Sequence, residues 1–131
     1  MLDKIDHIVY AVPNLEQACD QLEDLTGVRP SFGGYHKTQG TKNALLHLGG
    51  QRYLELLAID ETNADIPNPR WMGVDLIEQA TITRWAVQAS NIKASCAILQ
   101  AYDPRLGILK TGQRQLTNGE LLSWQLSMPT A

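Results

Sequence analysis

The sequence lacks the features that mark several large classes of protein. No apolar run approaches the roughly 20 residues of a membrane-spanning helix. The 11 Lys and Arg against 14 Asp and Glu give a net charge of −3, without the basic excess of a non-specific nucleic-acid binder. Two cysteines in 131 residues make no disulfide framework, and acidic residues near the N-terminus stand where a secretion signal needs basic ones. We therefore expect a globular cytoplasmic protein that binds neither nucleic acid nor membrane.

An internal repeat with an offset of 77 residues organises the chain. Segments 5–12 and 82–89 are both apolar-rich strand candidates. Segments 14–25 and 91–102 both open with Asn, a favoured helix N-cap, and then place apolar residues at helical spacing. Four identities share the offset: Ile5 and Ile82, Asn14 and Asn91, Cys19 and Cys96, Leu22 and Leu99. Each copy is therefore predicted to begin with a strand and a helix.

The first copy continues through three more strands. Gly27 ends its helix as a C-cap residue. The stretch 29–36 is predicted as a short edge strand interrupted by two glycines. Segments 43–48 and 51–59 are predicted as a hairpin joined by a two-glycine turn. The first copy thus has the order β-α-β-β-β.

The second copy is shorter. After its helix, segments 106–115 and 121–128 supply two strands around a turn, and nothing corresponds to the strand 51–59 of the first copy. The order is β-α-β-β. We interpret residues 1–131 as one domain. It consists of unit one at 1–60, a linker at 61–81 and an incomplete unit two at 82–131.

Two ionisable residues stand inside apolar strands. His7 shares a strand face with apolar residues, where it is either a core histidine with one hydrogen bond or a functional group. Glu55 lies in YLELLAI, and a carboxylate there is costly to bury unless it is paired, protonated or bound to a metal. The alternative for Glu55 is a solvent-facing position, which the apolar residues on both faces of this strand disfavour.

A loop at 33–43 is rich in glycine and in hydrogen-bonding groups, so it permits close approach to a ligand, although an ordinary hairpin loop would look the same. Its polar side chains include His36, Thr41 and Asn43. His47 shares a face with Asn43 and either lines the same cavity or is exposed.

Other residues that can carry chemistry favour structural roles. Cys19 and Cys96 lie on apolar helix faces and are predicted to be small buried hydrophobes. Trp71, Trp85 and Trp124 are interpreted as core or cover, because no basic groove accompanies them. The sequence contains no serine elbow, Cys-x-x-Cys or His-x-x-x-His, so any metal site must be assembled across strands.

The repeat, with His7 in IDHIVYAV and Glu55 in YLELL, resembles the vicinal oxygen chelate superfamily, which includes glyoxalase I, extradiol dioxygenases and bleomycin-resistance proteins. The runs GGYHKTQGTKNALLHLGGQRYLELLAID and RWMGVDL…ITRWAVQASNIKA are similar to its glyoxalase-like domain branch. The resemblance covers residues 4 to about 128. It implies an α+β fold of tandem βαβββ-type units, the second lacking its last strand, with a mixed curved sheet around a cleft and helices outside.

The resemblance also implies a metal site. His7 and Glu55 match the two ligand positions of the first unit, and their donor atoms suit Zn²⁺, Mn²⁺, Fe²⁺ or Ni²⁺. The second unit offers Arg84 at the offset from His7, which cannot ligate a metal. The fourth position belongs to the strand that the chain lacks, although His36 or His47 could substitute. Arg84 could instead bind a carboxylate or phosphate of a ligand, or neutralise Glu55.

Three functions follow from the resemblance. The first is a metal-dependent lyase, isomerase or dioxygenase-type enzyme in which Glu55 also moves a proton. The second is a metal-free, ligand-sequestering module that uses Tyr35, Arg84 and Trp85 in an apolar cleft. The third is a degenerate domain that mainly dimerises. The missing strand leaves a gap between 82–89 and 121–128, so we expect either a homodimer, with exchanged strands as one form, or a truncated form of a longer protein.

Overall fold

A computed structural model describes residues 4–67 and 69–128. In chain order, these residues form the strands and helices β1 (Lys4–Ala11), α1 (Leu15–Thr26), β2 (Ser31–His36), β3 (Thr41–Gly49), β4 (Arg52–Ile59), β5 (Thr81–Gln88), α2 (Ile92–Tyr102), β6 (Leu109–Gln115) and β7 (Leu121–Ser127). A single 3-10 turn, Trp71–Gly73, lies between β4 and β5. We call β1 to β4 with α1 unit one, and β5 to β7 with α2 unit two. The predicted element orders are confirmed.

All seven strands join one mixed sheet in the order β5-β1-β4-β3-β2-β6-β7. The pair β1 and β4 is parallel, and the other neighbouring pairs are antiparallel. The sheet curls into a half-barrel, so the prediction of an α+β fold with a curved mixed sheet is confirmed. Unit one supplies the four central strands, and unit two adds β5 at one side and β6 with β7 at the other.

The prediction that β2 is an edge strand was wrong. β2 pairs with β3 on one side and with β6 on the other, where Tyr35 is opposite Gln115. A Cβ atom at Gly34 would collide with the Gln115 carbonyl oxygen, so this glycine is what lets β6 approach. The glycines of β2 therefore leave room for the neighbouring strand β6. The pairing of β2 with β6 could not be predicted, because pairing between units leaves no periodic pattern in the sequence.

The two helices begin in the same way. The side chain of Asn14 accepts a hydrogen bond from the Gln17 backbone at 2.9 Å, and that of Asn91 accepts one from the Ala94 backbone at 3.1 Å. Each satisfies one of the backbone N–H groups that a helix start leaves free. α1 ends at Gly27 in the left-handed conformation, as predicted.

The hydrophobic core lies between α1 and the outer face of the sheet. Its buried residues all belong to unit one: Val12, Leu15, Ala18, Cys19, Ala44, Leu56 and Ala58. Burying side chains of this size contributes about 1.5–3 kcal/mol for each larger residue. Cys19 and Cys96 are both buried and free, which confirms their prediction. Neither described helix is long and apolar enough to cross a bilayer.

The two ends of the sheet are strands of unit two. In unit one, β4 lies between β1 and β3, whereas β5 and β7 each have one neighbouring strand among the described residues. The prediction of a gap between segments 82–89 and 121–128 corresponds to these two ends. Large apolar side chains are exposed along both: Ile82, Trp85, Val87, Leu121 and Leu122.

Candidate functional site

The concave face of the sheet, opposite α1, carries the candidate site. His7 is in register with Tyr53, and Val9 with Glu55, on the parallel strands β1 and β4. Because side chains alternate along a strand, all four point to one face, while Leu56 points into the core beneath α1. His7 Nε2 lies 3.6 Å from Glu55 Oε1. The imidazole and the carboxylate therefore meet on this face.

Glu55 is the centre of the cluster and is only 6% exposed. Asn43 Nδ2 donates a hydrogen bond of 2.6 Å to Glu55 Oε2. On the same side, His36 Nε2 lies 3.8 Å from Oε2. Burial raises the pKa of the Glu55 carboxyl, against the opposing effects of the Asn43 hydrogen bond and the charges of His7 and Arg114. A carboxyl of this kind can take up and release a proton nearer neutral pH than an exposed one.

His7 is fixed from two sides. Its Nδ1 hydrogen-bonds Asp6 Oδ2 at 2.7 Å, and its ring stacks on Tyr53 with a centroid distance of 4.7 Å. Because an ionised carboxylate only accepts hydrogen bonds, Nδ1 carries a proton and Nε2 faces Glu55. Burial, followed by the charge of Glu55, raises the pKa of the Tyr53 hydroxyl, so Tyr53 stays neutral.

His36 reaches the cluster from β2, two strands away from β4. Its Nδ1 lies 3.0 Å from Thr41 Oγ1, which also accepts a 3.0 Å hydrogen bond from Trp71 Nε1. The His36 ring packs edge-on against Trp71 and Trp124, with centroid distances of 5.2 and 6.1 Å. Burial, assisted by the charge of Arg114, lowers the pKa of His36 to about 4. His36 is therefore neutral at neutral pH.

The structure brings five of the candidate residues together: His7, His36, Thr41, Asn43 and Glu55. Tyr35 neighbours His36 on β2 and points to the other face. It contacts Phe32 at a centroid distance of 5.3 Å and lines a surface cavity of about 260 Å³ with Phe32, Gln115 and the turn after β6.

Three other candidates lie apart from the cluster. His47 is exposed near the end of β3, opposite Tyr53. Arg84 is opposite Val9, and its Nη1 donates to the Thr83 carbonyl oxygen at 2.7 Å. Trp85 is opposite Ile8, so it lies on the helix side of the sheet, and it is 67% exposed. Their roles in ligand binding stay predictions.

Sequence analysis missed several residues of the cluster. Asp6 is the neighbour of a residue that was identified. Strand alternation places Tyr53 on the face of Glu55 but does not indicate that its ring stacks on His7. Arg114 comes from β6. Trp124, which was interpreted from the sequence as core or cover, comes from β7 and packs on His36. Gly112 leaves room for the Trp124 indole, because a Cβ atom there would collide with it. Strand alternation places Arg114 on the same face of β6 as Gly112. It does not indicate that β6 pairs with β2, which is what brings Arg114 to the cluster.

The donor atoms of His7 and Glu55 are of the kinds that bind divalent metal ions. Nδ1 of His7 is occupied by Asp6, which leaves Nε2 and Glu55 Oε1 facing each other. The described residues contain no group of three or more His, Cys, Asp or Glu side chains that could hold a metal ion. His36 lies at the other carboxylate oxygen. His7 and Glu55 therefore fit two ligands of an open site, with the other positions left to water or substrate.

The curled sheet and the strand–helix repeat are those of the vicinal oxygen chelate superfamily. The family model of the glyoxalase-like domain matches residues 5–131, so the chain belongs to the glyoxalase-like domain family. No curated protein sequence matches the chain.

Solved structures share the fold at low identity. A hypothetical protein from Staphylococcus aureus has a TM-score of 0.69 and 19% identity over 99% of this chain, and the chain spans only 54% of that protein. Methylmalonyl-CoA epimerase from Mycobacterium tuberculosis has a TM-score of 0.60 and 19% identity, with 94% of this chain and 78% of that one covered. A methylmalonyl-CoA epimerase in complex with methylmalonyl-CoA and NH4+ has a TM-score of 0.63 and 18% identity, covering 95% of this chain and 94% of that one.

Proposed function

We propose that the chain is an isomerase-type or lyase-type enzyme domain that moves a proton on a small carbonyl-containing substrate, with Glu55 as the proton-transfer group. The observation that carries the proposal is the burial of Glu55, at 6% exposure, between the Nε2 atoms of His7 and His36. Burial of a carboxyl without an ion pair at hydrogen-bond distance is costly for stability, and such arrangements cluster at functional sites.

The step is a proton transfer without oxidation or reduction. The Glu55 carboxylate takes a proton from a carbon next to a carbonyl group, and the electron pair of the broken C–H bond moves onto the carbonyl oxygen. Return of the proton from Glu55 to the neighbouring carbon, while the proton of a hydroxyl group on the first carbon passes to the former carbonyl oxygen, gives the isomer and restores the carboxylate. Asn43 holds Oε2 at 2.6 Å, which leaves Oε1 for the substrate.

A divalent metal ion is part of this proposal. His7 Nε2 and Glu55 Oε1 would hold it in the absence of substrate. With substrate present it would polarise the substrate oxygens as a Lewis acid, and Oε1 would be the proton-accepting atom. Asp6 orients His7 for that role through the 2.7 Å hydrogen bond to Nδ1. The competing proposal, a metal-free sequestering module, is favoured by the absence of a three-ligand group in the described parts of the chain.

Isotope exchange tests the proton transfer. Methylmalonyl-CoA, the ligand of one structural relative, and pyruvate both carry exchangeable hydrogens, which are followed by NMR in D₂O. We expect catalysed exchange of at least one of them, and a loss of about 10²-fold or more in Glu55→Gln. Glu61→Gln makes the same chemical change at an exposed position paired with Lys42 and should exchange normally. Equal rates in the Glu55→Gln variant and the native protein would contradict the proposal.

A metal inventory separates the two candidate functions. Protein purified without chelator is analysed by mass spectrometry, alongside His7→Ala and Glu55→Gln. Stoichiometric metal that is lost in both variants supports the enzyme. Metal-free protein that binds an apolar dye and catalyses no exchange supports the sequestering module.

We also propose that a second copy of this chain covers the two open ends of the sheet. Exposed apolar side chains run along β5 and β7 and continue onto α2, where Ile98, Leu99 and Tyr102 are exposed. Unpaired strand edges with apolar side chains favour association with another chain. Size-exclusion chromatography with light scattering should show a dimer that Val87→Lys dissociates, and a monomeric native protein would contradict this proposal.

A further inference from the structure

Two buried polar atoms of the concave face have no hydrogen-bond partner: Arg114 Nε and Asn43 Oδ1. Arg114 also forms no ion pair with an acidic side chain within residues 4–67 and 69–128. Leaving such groups unpaired is unfavourable, so in a native protein a bound water, an ion or a ligand generally completes the contacts. Arg114 Nε is a hydrogen-bond donor on a positively charged group, and Asn43 Oδ1 is a hydrogen-bond acceptor.

The two groups are neighbours above the glycines of β2. A Cβ atom at Gly33 would collide with Asn43 Oδ1 and lie 3.1 Å from Arg114 Nη1. At Gly34 it would lie 2.9 Å from Arg114 Cγ. The Arg114 side chain therefore runs across a floor that has no side chains, and its guanidinium ends beside the amide that holds Glu55.

The charge of Arg114 acts on the cluster. It favours the ionised form of Glu55 and disfavours the protonated form of His36, so the guanidinium lies within electrostatic reach of both. Glu55 nevertheless accepts its hydrogen bond from Asn43 and not from Arg114. The fork of guanidinium N–H donors, which matches a carboxylate in geometry and charge, is left available.

We propose that Arg114 and Asn43 form a binding site for the 2-hydroxy acid part of the ligand: the guanidinium binds the carboxylate, and Asn43 Oδ1 accepts the hydrogen bond of the neighbouring hydroxyl. This inference rests on the proposed function, because it names the substrate class of the same site. It makes Arg114 a ligand-binding residue and Gly33 a positioning residue.

Calorimetric titration with lactate tests the site. The native protein should bind lactate, while propionate, which lacks the hydroxyl, and lactamide, which lacks the charge, should bind more weakly. Arg114→Gln should weaken lactate binding by about tenfold to hundredfold. Lys110→Gln removes the same charge from an exposed position on the same strand and should change the affinity less than about twofold.

Two further variants keep the test decisive. Arg114→Lys retains the charge but loses the fork, so it should weaken lactate binding even if Arg114→Gln folds poorly. Gly33→Ala keeps every polar group and should weaken binding by displacing Asn43 and Arg114. No binding of lactate to the native protein, equal binding to Arg114→Lys, or inorganic phosphate binding as tightly as lactate would overturn the inference.

The failure of this site is distinguishable from the failure of the proposed function. Glu55→Gln should still bind lactate while it loses proton exchange. If lactate binding depends on Arg114 but Glu55→Gln exchanges protons normally, the binding site stands and the proton-transfer role of Glu55 falls.

Discussion

Two helices that the sequence repeat makes equivalent lie in different surroundings. α1 buries Leu15, Ala18 and Cys19, whereas α2 buries Cys96. α1 packs against β3 and β4, and α2 packs against β7. The comparison shows that the repeated sequence determines each helix and its cap, while burial depends on how many strands stand beneath it.

Removing core side chains gives the largest expected contrast. Leu56 is fully buried beneath α1, and Leu99 on α2 is 43% exposed. Leu56→Ala should lower the free energy of unfolding by about 2–5 kcal/mol, because it leaves a cavity. Leu99→Ala should cost less than about 1 kcal/mol. Urea denaturation measures both, and equal losses would show that α2 is as well packed as α1, for example through a second chain.

The next prediction concerns His36, where unit one meets Trp124 of unit two. The pKa of His36 falls from 6.5 to about 4 on folding, so the unfolded chain binds more protons between these values. The contribution of the neutral His36 to the free energy of unfolding is therefore complete above pH 6.5. It is lost as the pH falls towards 4, which lowers the free energy of unfolding by about 3 kcal/mol in total. Denaturation across this window should show a steeper loss in the native protein than in His36→Gln. Parallel curves would mean that His36 is open to water and that the two units do not close over it.

The smallest effects are expected at the helix caps. Asn14→Ala and Asn91→Ala each remove one hydrogen bond to the start of a helix and should each cost about 1 kcal/mol. Global unfolding should report the loss at Asn14. Hydrogen exchange should report the loss at Asn91 as local opening of α2, because few buried contacts tie this helix to the sheet. The same response at both caps would contradict the difference between the units.

Local patterns predicted the elements well, because their causes lie close in the sequence. Asn14, Asn91 and Gly27 act within a few residues of the helices that they begin or end. Alternation predicted that His7 shares a strand face with apolar residues, and the resemblance to a known family implied that it faces the cleft beside Glu55. The 3.6 Å separation of their side chains agrees with that expectation.

Contacts between units could not be predicted, because no periodicity encodes them. Arg84 was selected by the repeat offset, yet it is Arg114 whose charge acts on Glu55. Gly34 reads as an interruption of a strand when it is seen alone, and as a docking position for β6 once the sheet order is known. These features depend on which strands curl together.

The strand order also bears on how the chain acquires its structure. Unit one alone forms the four central strands of the sheet. At one end of these four strands β5 pairs with β1, and at the other end β6 pairs with β2. During synthesis, β1 to β4 and α1 leave the ribosome before unit two does, so they can fold first. We expect unit two to fold afterwards against these strands, with β5 at one end and β6 and β7 at the other, and not as an independent domain.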